Sequence, residues 1–418
     1  MDSYVQRSRR KSIRRRLIAI SVIVFLVVTG SLLVGACSPM GKIEGPVYRV
    51  SFSEYQSETL EKMRDARRYQ NSGHDSELWW NAPREWQPSA VAPGHKPKRG
   101  ILLVHGLGDS PWSFHDVGQE LAAQGFLVRT VLLPGHGTDP ADMIEATAEQ
   151  WQKVVYQQAH ALASDVEGEV YLGGFSTGAN LILDYAYQHP EVAGLVLFSP
   201  GFKSMPFDWL APLVSKVRPW IITPGEGIPT QTPVRYLNVP TNGYAQFYRT
   251  SVAARKLLEQ NYEKPVFMVV AEHDSVLNTD YLLDIFQDRF THPKSRLIWY
   301  GDKPEQLTEN KRVLIREDHL PEHRISQFSH MGVLFSPENP LYGREGSLRI
   351  CLNGMDGDER KACQDGADVW FSGWGYSEEG KVHARLTFNP YFQWQTSVML
   401  EVLGIEPRDS EKTAMQAL

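Results

Sequence analysis

Gly174-Phe175-Ser176-Thr177-Gly178 sets a serine hydroxyl between two glycines. Glu169-Val170-Tyr171-Leu172 ahead of it reads as a buried strand, and the run from Ala179 to Ala186 behind it reads as a helix. A serine on so tight a strand-to-helix turn is held in strained backbone that pushes its hydroxyl over the sheet edge. The glycines are needed because strand and helix approach too closely there for a Cβ. The chemistry this permits is nucleophilic. A neutral hydroxyl attacks poorly, so it needs a histidine to take its proton and a buried carboxylate to orient that histidine.

Val270-Ala271-Glu272-His273-Asp274 offers two carboxylates just beyond an apolar strand candidate at Val266–Val270. Asp274 is the preferred acid and Glu272 its rival, because catalytic loops of open α/β sheets converge at the carboxyl ends of strands. His273 is read as a surface residue. His292, His319, His323, His330 and His383 all follow Asp274. His330, in Phe328-Ser329-His330-Met331-Gly332-Val333, best fits a small-residue loop after the last strand, with His319 and His323 as the main rivals.

The elements that must position these groups begin at Gly100. Short apolar runs at Ile101–Val104, Leu127–Leu132, Val170–Leu172, Leu195–Phe198, Val266–Val270 and Arg296–Tyr300 suit parallel strands covered on both faces. Helical segments at Phe114–Gln124, Ala148–Ser164 and Thr279–Arg289 alternate with them. The alternation predicts an α/β fold with a doubly wound, mostly parallel sheet. A further strand near Arg312–Leu314 would fill the long interval before His330. Two stretches break the rhythm: residues 202–239, apolar and proline-rich, and residues 336–387, which hold Cys351, Cys363, Trp370 and Trp374.

Four motifs in order resemble the α/β-hydrolase superfamily, particularly its monoglyceride-lipase-like and carboxylesterase-like members: Val104-His105-Gly106-Leu107-Gly108-Asp109-Ser110, Leu133-Pro134-Gly135-His136-Gly137, the Ser176 turn, and Val270–Asp274. The resemblance spans roughly residues 100–403 and implies the chain order nucleophile, acid, base, hence Ser176, Asp274, His330. It also implies an oxyanion hole made by the backbone N–H groups of Leu107 and Thr177, with His105 and His136 as loop formers. Residues 202–239 fall where members insert a cap, so Met205, Phe207, Trp209, Leu210, Leu213 and Val214, with Trp220, Ile221 and Ile222, are candidates for an acyl-chain pocket. Trp112 and Phe114 are candidates for more apolar wall. No metal or organic cofactor is implied.

The N-terminus concerns location. Arg7, Arg9, Arg10, Lys11, Arg14, Arg15 and Arg16 precede an uncharged apolar run from Leu17 to Ala36, as in a signal peptide. Val34-Gly35-Ala36-Cys37 resembles the lipobox of bacterial lipoproteins, which implies cleavage before Cys37 and its lipidation. An uncleaved transmembrane helix is the alternative, since the run is just long enough to span. Either way the arginines stay cytoplasmic and the rest is exported. The whole chain carries −6 and its first 36 residues hold seven basic residues and Asp2, so the remainder carries −12. That acidity argues against nucleic acid as a partner.

With Cys37 lipidated, Cys351 and Cys363 form an even pair in an oxidising compartment, and a disulfide is expected. No C-x-x-C spacing suggests zinc, and Asp356-Gly357-Asp358-Glu359 lacks the full calcium-loop pattern. The expected organisation is an anchor over residues 1–36, a spacer with decoration over 37–99, the hydrolase domain over 100–405 and a polar tail over 406–418. The expected function is a membrane-anchored exported serine hydrolase of carboxylic esters acting on a small ester or lipid. Acyl transfer, a serine aminopeptidase and a non-catalytic envelope lipoprotein are the alternatives.

Overall fold

The computed structural model describes residues 51–405 apart from 90, 92, 93, 205, 308, 309, 355 and 356. The Leu17–Ala36 run, Cys37, a candidate strand at Val47–Val50, Met205, Asp356 and the polar tail lie outside the described residues.

Before the expected domain start come helices α1 (Phe52–Ala66) and α2 (His74–Asn81) and the short strand β1 (Glu85–Trp86). These do more than space the domain from its N-terminus. Strand β1 pairs antiparallel with β3 (Phe126–Val131). Arg67, its side chain fully enclosed, makes an ion pair at 3.0 Å with the equally buried Glu77 and donates to the Gly137 carbonyl at 2.6 Å. A buried pair of this kind needs its remaining groups satisfied, and the Gln70 and Asn71 amides complete the Glu77 carboxylate at 2.9 and 2.5 Å.

The main sheet has eight strands in the order β1-β3-β2-β4-β5-β8-β9-β10. Besides β1 and β3 these are β2 (Arg99–Val104), β4 (Glu169–Phe175), β5 (Val192–Phe198), β8 (Val266–Ala271), β9 (Arg296–Tyr300) and β10 (Val313–Arg316), all parallel. The central strands β2, β3, β4, β8 and β9 are buried over nearly their whole length, as their continuous apolar runs require, whereas the edge strands β1 and β10 are only partly covered. The helices α3 (His115–Ala123), α4 (Ala148–Asp165) and α5 (Thr177–Gln188) alternate with the strands. Thr147 caps α4 in a reciprocal box with Gln150, which satisfies two otherwise orphan amides.

Register brings the site loops to one edge. Val104 lies opposite both Val131 and Gly174, Phe175 opposite Phe198, and Ala271 opposite Tyr300. The chain leaves β2 to one side for β3 and returns to its other side for β4. That is the switch point where open α/β sheets bind ligands.

After β5 the chain runs through a 3-10 turn at Asp208–Leu210, the short helix α6 (Ala211–Val214) and a hairpin of β6 (Gln231–Thr232) and β7 (Arg235–Tyr236), then returns along α7 (Thr241–Leu257). Helix α8 (Thr279–Arg289) separates β8 from β9. The late insertion carries α9 (Gly357–Gln364) and a parallel pair, β11 (Val369–Ser372) with β12 (Val382–Arg385), before the last helix α10 (Phe392–Val402). Cys351 and Cys363 are joined in a disulfide. The expected doubly wound sheet, with a cap and a disulfide-bearing insertion, is the fold.

Candidate active site

Ser176 sits between β4 and α5 at φ 53°, ψ −114°, a left-handed conformation costly for any residue with a side chain. The backbone is pinned there: Ser176 N–H donates to Phe198 O at 3.0 Å and Ser176 O accepts from Gly201 N at 3.0 Å. The flanking glycines are obligatory. A Cβ on Gly178 would collide with the Val104 carbonyl, and one on Gly174 with the first turn of α5. The Ser176 hydroxyl does not cap its own helix.

Asp274 follows β8 and its side chain is fully buried. One carboxylate oxygen accepts the Val276 and Leu277 amides at 2.8 and 3.2 Å. The other is 2.6 Å from His330 Nδ1. The His330 ring packs on Phe175, the residue before Ser176, with ring centroids 4.9 Å apart. Glu272, the rival acid, turns away to accept the Asp302 amide at 2.6 Å.

The other histidines have different partners. His319 Nδ1 lies 3.0 Å from Ser326 O, and Arg344 reaches His323 Nδ1 at 2.8 Å. His383 is fully buried beside Ser326 Oγ at 3.3 Å, and Lys294 N–H donates to His292 at 3.1 Å. His273 is exposed, as expected, but it is not idle. It pairs with the buried Asp318 at 2.7 Å, a hydrogen bond that raises its pKa.

His330 is held by groups that no motif announces. Ser199, also at positive φ, donates its hydroxyl to the His330 carbonyl at 3.1 Å. Ser329 Oγ donates to Leu386 O at 2.6 Å and accepts the Gly332 amide at 3.1 Å. A small polar residue beside the base was the one available signal. The strand expected near Arg312–Leu314 is β10, which accounts for the long interval before His330.

Leu107 and Thr177 head the loops after β2 and β4. Thr177 opens α5, so its N–H is among those that helix geometry leaves without an intrahelical acceptor, and the helix dipole makes that end attractive to negative charge. Two buried imidazoles fix the Leu107 loop. His136 Nε2 accepts the Gly108 amide at 3.0 Å and His105 Nε2 accepts the Leu133 amide at 3.1 Å. Both rings must therefore be neutral. Burial lowers the His136 pKa to about 4 and that of His105 well below its ordinary value. They tie the motif after β2 to the Pro134–Gly137 turn.

Asp109, in the same loop, is 6% exposed and forms an ion pair with Arg235 of the cap hairpin. Burial raises its pKa against the pull of Arg235. The Tyr236 amide also donates to Gly108 O at 2.7 Å. Trp112 and Phe114 do not form a pocket wall: both are packed in the main core. An open groove of about 590 Å³ lined by His323, Glu338, Arg344 and Pro390 shares no residue with this constellation. Among the described residues no cluster suited to a metal ion occurs.

The family model described as "Serine aminopeptidase, S33" matches residues 95–239, about a third of the chain. A thermostable monoacylglycerol lipase from Bacillus sp. (strain H-257) is 32% identical over 97 residues, 23% of this chain and 38% of the lipase. The chain thus spans well under half of that relative's length. A carboxylesterase from Bacillus subtilis (strain 168) is 24% identical over 224 residues, 53% of this chain and 90% of the esterase. Among solved structures, a soluble variant of monoglyceride lipase from Saccharomyces cerevisiae aligns with a TM-score of 0.44 and 18% identity, over 52% of this chain and 82% of that one. Sheet order and the turn at Ser176 give the chain the α/β-hydrolase fold, and the sequence matches make it similar to hydrolases of that fold. Within that class it is lipase- and esterase-like.

Proposed function

We propose that the protein is a serine hydrolase of carboxylic esters that works through an acyl-enzyme. The observation that carries this is the 2.6 Å contact of Asp274 with His330 Nδ1, on a ring packed beside the strained Ser176 turn. Asp274 holds the Nδ1–H tautomer and leaves Nε2 as the basic nitrogen. Ser176 Oγ attacks the ester carbonyl while Nε2 takes its proton. The carbonyl electron pair moves onto oxygen, where the Leu107 and Thr177 N–H groups receive it; one such donor is typically worth about a hundred- to a thousand-fold in rate. His330 then protonates the departing alcohol. Water, deprotonated by the same nitrogen, cleaves the acyl-enzyme and returns the proton to Ser176.

The N-terminal run and Cys37 support export and a membrane tether, and with the apolar cap they favour a lipid or other small ester as substrate. Metabolic labelling with a fatty acid, lost in Cys37→Ser, tests the tether.

Labelling with a fluorophosphonate tests the nucleophile: one adduct is expected on Ser176 and none on Ser176→Ala. Ester hydrolysis that survives in Ser176→Ala would remove the mechanism. The name of the matching family favours a second reading, an aminopeptidase on the same residues. Aminoacyl p-nitroanilides cleaved faster than p-nitrophenyl esters would select it.

A further inference from the structure

Two arginines, Arg235 and Arg385, lie within electrostatic reach of each other, and Asp274 acts on Arg385 over the same range. Arg235, on the cap hairpin, is paired with Asp109. Arg385, the last residue of β12, is half-buried and makes no ion pair with any described carboxylate. Its Nε donates to the Asn353 amide oxygen at 2.6 Å and its Nη2 to Leu352 O at 3.2 Å. Both acceptors are neutral. Its Nη1 makes no hydrogen bond to a described residue.

The backbone on either side of this guanidinium is tied to the loops of the candidate site. Leu386, the next residue, accepts the Ser329 hydroxyl beside His330. Asn353, its amide partner, donates to Gly373 O at 3.1 Å, and a Cβ on Gly373 would lie 3.2 Å from the carbonyl of His273, next to Asp274. Asp274 cannot serve as the missing counter-ion, because its oxygens are taken by two amides and His330. Burial and the repulsion of Arg235 pull the Arg385 pKa down to about 9, with Asp274 opposing weakly. An arginine desolvated without a carboxylate is costly unless an anion arrives to complete it, and its planar fork suits a carboxylate or a phosphate.

We infer that Arg385 is a specificity residue that binds a second, anionic group on the substrate, so the preferred ester carries a carboxylate or a phosphate besides the bond that is cleaved. This rests on the ester-hydrolase reading above. The acylation chemistry is unchanged; the anion is held, not transformed.

The test uses the full chain, with Arg385→Gln and Arg385→Lys, on matched pairs of esters. One pair is mono-p-nitrophenyl glutarate against p-nitrophenyl valerate, for a carboxylate. The other is 1-lauroylglycerol 3-phosphate against 1-monolauroylglycerol, for a phosphate. In at least one pair the wild type should favour the anionic member about tenfold or more in kcat/KM, mainly through KM, as expected for a charge-assisted hydrogen bond. Arg385→Gln should collapse that ratio about tenfold or more, and Arg385→Lys should restore part of it.

A wild type without preference in either pair overturns the inference, whether or not a variant folds. So does an Arg385→Gln that slows both members equally. If no ester of either kind is turned over, the hydrolase reading fails instead. Calorimetry with glutarate and with inorganic phosphate then decides the anion site alone: binding to wild type that Arg385→Gln loses supports it, and no binding overturns it.

Discussion

The cap and the late insertion both adjoin the candidate site but are fastened differently. The cap leaves Phe207 70% exposed, Val217 84% and Ile221 57%. Its hairpin holds it to the body: Arg235 meets Asp109, the Tyr236 amide meets Gly108, the Tyr236 ring stacks on His136 at 6.1 Å, and the Pro233 carbonyl accepts from Arg67 and Asn81. The insertion is stitched at many points. The Cys351–Cys363 disulfide packs with Val369 and Ala384, Asn353 bridges Ser372, Gly373 and Arg385, and Asn339 binds the Asp116 carboxylate on α3 at 2.9 and 3.0 Å. One wall of the site is therefore fastened chiefly through its hairpin and exposes apolar side chains beyond it. The other is rigid and presents Ser329, and through it His330, from a fixed frame.

Cutting the buried Arg235–Asp109 pair should have the largest effect. Arg235→Gln leaves Asp109 buried without its partner, for which about 3–5 kcal/mol is typical. The lower end is expected, because burial already raises the Asp109 pKa and a proton can replace the lost charge. Urea unfolding checks the size. A loss below about 1 kcal/mol would mean that the cap is held elsewhere.

Acid should attack the same hairpin contacts. His136 titrates at about 4 in the fold against an ordinary value near 6.5. The unfolded chain therefore takes up a proton that the native ring refuses. The stability from the neutral ring is present above pH ~6.5 and is lost as pH falls toward ~4, by about 3 kcal/mol at ~1.4 kcal/mol per unit. His105, also lowered by burial, adds loss of the same sign. Unfolding measured from pH 7 to 4 should show this slope, and His136→Gln should flatten it; an unchanged slope would remove His136 as its source.

On the rigid side, removing the disulfide through Cys351→Ser with Cys363→Ser should cost about 3 kcal/mol by the chain-entropy model. The remaining stitches should still hold the insertion in place. Thermal unfolding should thus shift down while the kcat of the folded double variant stays within about threefold. A much larger fall in kcat would show that the disulfide itself sets the base loop.

The site was legible in the sequence where chemistry lies in contiguous residues. The Ser176 turn, Asp274 just past a strand and the small-residue loop at His330 carry local signals, and the apolar strands from Ile101 to Tyr300 could be read for the same reason. Partnerships over long sequence distances left no such mark. Nothing near Asp109 points to Arg235, nothing near His273 to Asp318, and nothing near Ser329 to Leu386, because a side-chain pair across the fold imposes no local period. Strand β1 escaped for another reason: two residues, Glu85 and Trp86, are too few to show alternation. The Arg67–Glu77 pair, only ten residues apart, likewise imposes no local period.

The smallest stability effect tests whether the cap is adaptable away from its hairpin. Phe207 is 70% exposed, so Phe207→Ala forfeits little burial and should change stability by no more than about 0.5 kcal/mol. If the outer cap meets the acyl chain, the same change should raise KM for p-nitrophenyl laurate several-fold and leave that for p-nitrophenyl acetate nearly unaltered. A chain long enough to reach the cap loses apolar contact at about 25 cal/mol per Å², whereas an acetyl group stays at the Ser176 turn. Equal KM changes for both esters would place the acyl chain away from the cap. A stability loss as large as that of Arg235→Gln would make the cap a second rigid wall, and the contrast with the insertion would disappear.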